Sequence, residues 1–173
     1  KPEEIPGDRT GPEADVSKPV SGIVYAETGK KSDTQAEGTD KQSDGTETKS
    51  DIGIQNKKEG CRREDEVGKE LEDRYPESEG YKVIKEAYLR DKDGNIVRDP
   101  EPPYKARRID FVVVKDGKVV DSIEVTSKTA PKEAQSAKEE RIRENGGNYI
   151  KDPDTGELIR IPDSVHTRIE RRE

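Results

Sequence analysis

The stretch that decides the fold is RRIDFVVVKDGKVVDSIEV, residues 107–125. It contains two runs rich in β-branched residues, separated by a short polar segment with Asp116-Gly117 at its centre. Asp-Gly between two such runs is a strong signal of a β-hairpin with a tight turn. Because a hairpin brings the start of its first strand beside the end of its second, we expect Asp110 and Glu124 to lie close together. Two carboxylates in that position suit a hard divalent cation, which prefers oxygen ligands.

The composition excludes several classes of site and partner. Of the 173 residues, 26% are hydrophobic and 42% are charged, so part of the chain is not expected to bury a core. The net charge is −7 and neither residues 1–60 nor the remainder is net basic, which argues against nucleic-acid binding by bulk positive charge. The single cysteine, Cys61, and the single histidine, His166, exclude cysteine zinc sites and multi-histidine metal centres. No apolar run is long enough to span a membrane.

The chain divides near residue 60. Residues 1–60 carry scattered prolines and long polar stretches, which predict a disordered, low-complexity linker. Residues 61–173 are predicted to form one α/β or α+β domain around a small mixed sheet. Its expected elements are a helix near 64–75, a strand near 81–89, the hairpin, a charged helix near 130–145 and short strands near 149–150 and 158–161. The final residues, with their arginines, are expected to be a solvated basic tail.

A wider pattern connects four segments of the chain: 64–71, 80–84, 108–110 and 123–128. In this order and spacing they resemble the PD-(D/E)XK nuclease superfamily, over roughly residues 61–165. The resemblance implies a restriction-endonuclease-like α-β-β-β-α-β core with a mixed sheet. It also implies that three acids are catalytic and hold Mg²⁺ or Mn²⁺: Glu64, Asp110 and Glu124.

The identity of the catalytic lysine stays open. The usual Glu-x-Lys pattern puts a lysine two residues after the glutamate, where this chain has Thr126. Since residues 124, 126 and 128 face the same side of an extended strand, Lys128 can serve from the strand's end. The alternative is Lys138 on the following helix, where Gln135 also resembles the extra polar residues that many members place over the site.

The implied reaction is hydrolysis of a phosphodiester bond. The cation would hold a phosphate oxygen and lower the pKa of an attacking water. Lys128 or Lys138 would stabilise the charge that develops on the phosphorus centre, or position the water. Three arginines would hold flanking phosphates of the nucleic acid: Arg107, Arg108 and Arg141.

A narrower resemblance lies in segments between residues 107 and 150, including Gly146-Gly147 and Tyr149-Ile150. They look like the C-terminal nuclease domains of bacterial polymorphic toxins of the contact-dependent inhibition and Rhs types. This implies a secreted or cell-surface-delivered effector that cleaves DNA or tRNA in the cytoplasm of a target cell. It also implies a cognate immunity protein as partner, and residues 1–60 fit the connection that precedes such a domain.

Two other functions stay open. Thr126 also fits a nuclease-like domain that has lost its chemistry and serves as a binding module, and failure to bind a divalent metal would favour it. The third function is a housekeeping nuclease of DNA recombination or repair, which a compact stand-alone gene would favour.

Overall fold

The computed structural model describes residues 23–25 and 49–173. Its helices are α1 (Lys49–Arg74) and α2 (Glu133–Glu144), and a short 3-10 turn lies at Glu77–Glu79. Its strands are β1 (Ile23–Tyr25), β2 (Tyr81–Tyr88), β3 (Arg108–Lys115), β4 (Lys118–Ser127), β5 (Tyr149–Lys151), β6 (Leu158–Arg160) and β7 (Arg168–Arg172). Among the described residues, no helix combines the length and apolar character needed to cross a membrane. The mixed α+β class predicted from the sequence is confirmed.

Within these described ranges, seven strands form one mixed sheet in the order β1-β2-β3-β4-β6-β5, and β7 also pairs with β4. Strands β2, β3 and β4 are antiparallel neighbours at its centre, whereas β6 and β7 run parallel to β4. The first residue of β4 pairs with β6, and its last residues, from Ile123 onward, pair with β7. The end of β4 that carries Glu124 is therefore flanked by β7 on one side and by β3 on the other.

The predicted hairpin between β3 and β4 is confirmed. Lys115 pairs with Lys118 across the turn, and Asp116 and Gly117 take φ values of 50° and 71°. Positive φ at both central residues gives a turn whose twist matches that of the flanking strands, and Asp-Gly adopts it readily. The local sequence is therefore sufficient to join these two strands.

The two helices cover opposite faces of the sheet. Leu71 of α1 packs with Phe111 and Val113 of β3. Ile142 of α2 belongs to a second cluster that contains Val112, which lies between those two residues in the sequence. Since successive residues of a strand point to opposite faces, α1 and α2 lie on different sides, and the acids of β3 and β4 are positioned between two layers of helix.

Helix α1 begins at Lys49, well before the start near residue 64 that the sequence predicted. Residues 49–58 are all exposed, so the burial pattern on which the prediction relied gives no signal there. Pairs of opposite charge one turn apart, such as Arg62 with Glu59, help such a solvated helix to form. Ile23–Tyr25, also in the predicted linker, pairs with β2; the rest of that prediction lies outside the described residues.

The C-terminal residues form a strand and not the predicted solvated tail. Strand β7 pairs in parallel with the end of β4. Its charges have partners on neighbouring elements: Arg168 contacts Asp121 of β4, and Arg172 contacts Glu70 of α1. The sequence of β7 has almost no apolar alternation, so its pairing depends on neighbours that the local pattern does not reveal.

Candidate active site

Asp110 of β3 stands opposite Glu124 of β4. Regular pairing between the two strands reaches Phe111 and Ile123, and the next residue on each strand is one of the two acids. At this point the backbone N–H of Val125 donates to Oδ2 of Asp110 over 2.8 Å. The two acids therefore occupy facing positions where the ladder between β3 and β4 ends, close enough for the charge of Glu124 to act on the carboxyl group of Asp110.

The backbone is irregular at the same position. On β2, Glu86 lies at the register position of Asp110 and takes a φ of 59°. On β3, Ile109 belongs to the cluster under α2 whereas Phe111 belongs to the cluster under α1, so the alternation of side chains shifts at Asp110. A left-handed φ is unfavourable for a residue other than glycine, and such residues are concentrated at functional sites.

Burial raises the pKa of Asp110 to about 7, and the nearby charges of Glu124 and Glu64 act in the same direction. The hydrogen bond from Val125 and the guanidinium of Arg107 partly oppose this shift in pKa. A carboxyl group with this pKa exchanges its proton near neutral pH. A cation bound beside it would favour the charged form, because it replaces like-charge repulsion with attraction.

Glu124 is buried, and each of its oxygens has a cationic partner. Oε2 accepts a hydrogen bond from Nη2 of Arg107, and Oε1 accepts one from Nζ of Lys132, both over 3.0 Å. The side chain of Arg107 is 6% exposed and that of Lys132 is 14% exposed. A buried carboxylate is costly without a partner, so these two cations explain how β4 tolerates a charge among its apolar residues.

Arg107 connects Glu124 to α2. Its Nε lies 3.5 Å from Oε2 of Glu139, and the hydroxyl of Thr167 donates to the other oxygen of Glu139. The hydroxyls of Thr167 and Ser122 are 2.7 Å apart. This chain of polar contacts joins β4, α2 and the residue before β7, and it fixes the position of the Glu124 carboxylate.

Glu64 lies on the other side of the sheet. Its Oε2 is 3.5 Å from Nζ of Lys85, which stands 5.5 Å from the centre of the Phe111 ring on the α1 side. The charge of Glu64 still raises the pKa of Asp110. In the part of the chain that the structure describes, no three His, Cys, Asp or Glu side chains are grouped so as to hold a metal ion. The structure thus brings Asp110 and Glu124 together and places Glu64 beside Lys85.

Both lysines predicted for catalysis have other partners. The side chain of Lys128 is 61% exposed and contacts Glu173. Nζ of Lys138 donates to the carbonyl of Ala106 over 2.7 Å, and burial, followed by the charge of Arg107, lowers the pKa of this lysine. Lys138 therefore borders the start of β3, whereas Lys128 points to the C-terminus.

Sequence analysis missed Lys132, the lysine that reaches Glu124. This residue immediately precedes α2, and its Nζ donates to Oε1 of Gln135 over 2.6 Å. Gln135 is therefore connected to Glu124 through the ammonium of Lys132. The sequence feature that could have indicated Lys132 is its position, directly after Pro131 at the predicted start of α2. The start of α2 lies near the end of β4, which carries Glu124.

The arginines predicted to hold phosphates are engaged within the protein. Arg107 is buried between two acids, so it does not face solvent as a phosphate contact requires. Arg108 is 47% exposed and lies 3.6 Å from Glu86. Nε and Nη2 of Arg141 donate to the two carboxylate oxygens of Asp99 over 2.8 and 2.7 Å.

Arg141→Met is expected to raise the pKa of Asp99 toward its ordinary value of about 4. The guanidinium of Arg141 is the main cause that holds this pKa at about 2. An NMR titration of the side-chain carboxyl carbons measures the change. Glu101→Gln removes a 62% exposed acid that also contacts Arg141 and serves as the control, with little change expected. An Asp99 pKa that stays near 2 in Arg141→Met would contradict this assignment.

Comparison with known proteins gave no match: no family model, no curated protein and no solved structure matches the chain.

Proposed function

We propose that this chain is a Mg²⁺- or Mn²⁺-dependent nuclease that hydrolyses phosphodiester bonds of DNA or tRNA. The observation that carries the proposal is the position of Asp110 and Glu124, opposite each other where the ladder between β3 and β4 ends. Burial and, after it, the like charge of Glu124 raise the pKa of Asp110. A divalent cation between the two carboxylates would remove the repulsion between them.

The donor set fits a magnesium ion. Mg²⁺ prefers oxygen ligands and is commonly held by one or two carboxylates together with water and substrate phosphate, without a full set of protein ligands. Two neighbouring acids therefore suffice, and Glu64 adds negative charge from the α1 side. When bound, the cation supplies a Lewis acid for the phosphate and lowers the pKa of a water nucleophile.

The protein's own groups have separate tasks in this proposal. Arg107, itself tied to Glu139, orients the carboxylate of Glu124. Asp110, whose carboxylate accepts the hydrogen bond from the backbone N–H of Val125, would hold the cation in its charged form.

The order of elements also supports the proposal. From α1 onward the chain runs through a helix, three antiparallel strands, a second helix and further strands. This order agrees with the restriction-endonuclease-like core that the resemblance to the PD-(D/E)XK superfamily implies. Asp110 and Glu124 lie on the second and third of these antiparallel strands, and the resemblance expects the acids on two neighbouring strands.

Within this proposal the chain is the toxin domain of a secreted or cell-surface-delivered effector that acts in the cytoplasm of a target cell. This part rests on the resemblance between residues 107 and 150. Expression of the chain in a bacterial cytoplasm is expected to arrest growth, and co-expression of the small protein encoded directly downstream should relieve the arrest. A housekeeping nuclease would not be inhibited by the product of the downstream gene.

The direct test is cleavage of plasmid DNA and total tRNA in the presence of Mg²⁺. Asp110→Asn and Glu124→Gln are expected to slow cleavage at least about hundredfold, because a ligand of the catalytic cation acts on the transition state. Asp163→Asn, at an acid that is 86% exposed, is the matched control and should cleave like wild type. Equal rates in all four proteins would rule out a catalytic role for the two acids.

A second candidate is a nuclease-like module that binds without cleaving. It is favoured by the contacts of Glu124, whose two oxygens are used by Arg107 and Lys132. Calorimetric titration with Mn²⁺ separates the two functions. Binding that is lost in Asp110→Asn favours the nuclease, whereas a wild-type protein that binds no Mn²⁺ favours the inert module.

A further inference from the structure

The two cations on Glu124 differ in how firmly they are held. Arg107 contacts Glu124, Glu139 and the carbonyl of Arg108, so its planar guanidinium is fixed on several sides. Lys132 contacts Glu124 through the ammonium at the tip of a flexible side chain, and the same ammonium donates to Oε1 of Gln135, an exchangeable side-chain partner, over 2.6 Å. The oxygen Oε2 of Glu124 is therefore bound rigidly, whereas Oε1 is bound by a group that is able to move.

The space beside Glu124 is too small for a second cation while Lys132 is in place. A cavity of about 10 Å³, bordered by Glu124, Lys132 and Gln135, lies there. This volume corresponds to about one water molecule. A hydrated divalent ion that approaches Oε1 from this side must therefore take the place of the ammonium, because the cavity does not hold both.

We propose that a divalent cation displaces the Lys132 ammonium from Oε1 of Glu124, and that the displaced ammonium becomes the positive group that contacts the phosphate. This inference rests on the proposed nuclease function and answers the question left open by Thr126. An ammonium is a compact charge with three donors, well suited to a phosphate oxygen. The side chain of Lys132 is 14% exposed, and its flexible four-carbon stem allows the ammonium to turn toward a phosphate bound beside the cation.

Other lysines near the two acids have partners other than Glu124. Lys85 pairs with Glu64 and Asp65 on the α1 side of the sheet. Lys138 donates to a backbone carbonyl. Lys132 is distinguished by its contact with Oε1 of Glu124, so the release of this lysine is coupled to occupation of that oxygen.

The first measurement is calorimetric titration of Mn²⁺ into the protein without nucleic acid. If the ammonium competes for Oε1, Lys132→Met should bind Mn²⁺ about tenfold more tightly than wild type, the scale of one hydrogen bond to a charged group. Lys132→Arg keeps the positive charge and should bind Mn²⁺ no more tightly than wild type. Lys92→Met, at a lysine that is 77% exposed and contacts Asp93, is the control and should retain wild-type affinity.

The second measurement is the rate of cleavage of plasmid DNA and tRNA at saturating Mn²⁺. Lys132→Met is expected to turn over about a hundredfold more slowly, the usual effect of removing one group that stabilises transition-state charge. Affinity for the cation and turnover thus change in opposite directions. A lysine with only a structural role would weaken both together, and thermal unfolding of each variant shows whether the fold is intact.

Lys132→Gln, closer to lysine in polarity, is the second variant if Lys132→Met does not fold. Unchanged or weaker Mn²⁺ binding by these variants, in a wild-type protein that binds Mn²⁺, overturns the displacement. Cleavage at the wild-type rate overturns the phosphate contact. A wild-type protein that neither binds Mn²⁺ nor cleaves overturns the nuclease function itself, and the role of Lys132 falls with it.

Discussion

Arg107→Met is expected to lower the free energy of unfolding by about 3–5 kcal/mol at pH 7. Arg107 lies between Glu124 and Glu139, whose side chains are only 6% and 8% exposed. Removal of the guanidinium leaves two buried acids with one remaining polar partner each, Lys132 for the first and Thr167 for the second. The cost arises because a buried charge without compensation is far less stable than the same charge in water.

Urea denaturation of wild type and variant, followed by circular dichroism, measures this loss. Arg108→Met changes the adjacent residue, an arginine that is 47% exposed, and should change stability by no more than about 0.5 kcal/mol. If Arg107→Met is as mild as Arg108→Met, the buried ion pairs do not stabilise the site.

Asp110→Asn is expected to stabilise the folded protein at pH 8 by about 2–4 kcal/mol. The pKa of Asp110 is raised from 3.8 to about 7, which means that its charged form is unfavourable in the folded state. Each pKa unit corresponds to about 1.4 kcal/mol. Asparagine retains an oxygen that accepts the hydrogen bond from Val125, although more weakly than a carboxylate does, and this sets the lower end of the range.

The difference in stability between Asp110→Asn and wild type is expected to depend on pH. The folded protein holds the proton of Asp110 more tightly than the unfolded chain does, so the resulting stability is complete below about pH 4 and is lost as the pH rises through about 7. Asp110→Asn and wild type should therefore differ little at pH 4 and increasingly up to pH 8.

Urea denaturation at several pH values measures this difference, with Asp163→Asn as a control that should not depend on pH in the same way. A difference in stability that is constant with pH, or a variant less stable than wild type at pH 8, would show that the charged form of Asp110 is not unfavourable in the folded protein. Gain of stability with loss of cleavage in one variant is the combination expected of a functional residue.

The closeness of Asp110 and Glu124 could be predicted because the information is local. Asp116-Gly117 sets the turn, which brings the start of β3 beside the end of β4. A register shift between Val113 and Val114, which the pattern does not contain, decides that Glu124 and not Ile123 stands opposite Asp110. The pattern does not contain the break in alternation at Asp110. That break depends on the irregular backbone of β2 at Glu86, more than twenty residues earlier in the chain.

The surroundings of Glu124 could not be predicted in the same way. Residues 124 and 128 face the same side of a regular strand, so the sequence offers Lys128, besides Lys138, as the catalytic lysine. In the folded chain β4 ends at Ser127, and Lys128 contacts the C-terminal residue while Lys132 reaches back from the start of α2. Side chains that approach from other elements have no periodic signature in the sequence.

The sequence by itself determined the mixed α+β class, the hairpin and the position of one acid on each of its strands, because turn chemistry and strand periodicity act over a few residues. Only the tertiary structure decided which charges meet these acids. Packing of α2 over one face supplies Lys132 and Glu139, whereas packing of α1 over the other leaves Glu64 with Lys85. The physical reason is that burial of a charge requires a partner in space, and the identity of that partner depends on how the layers come together.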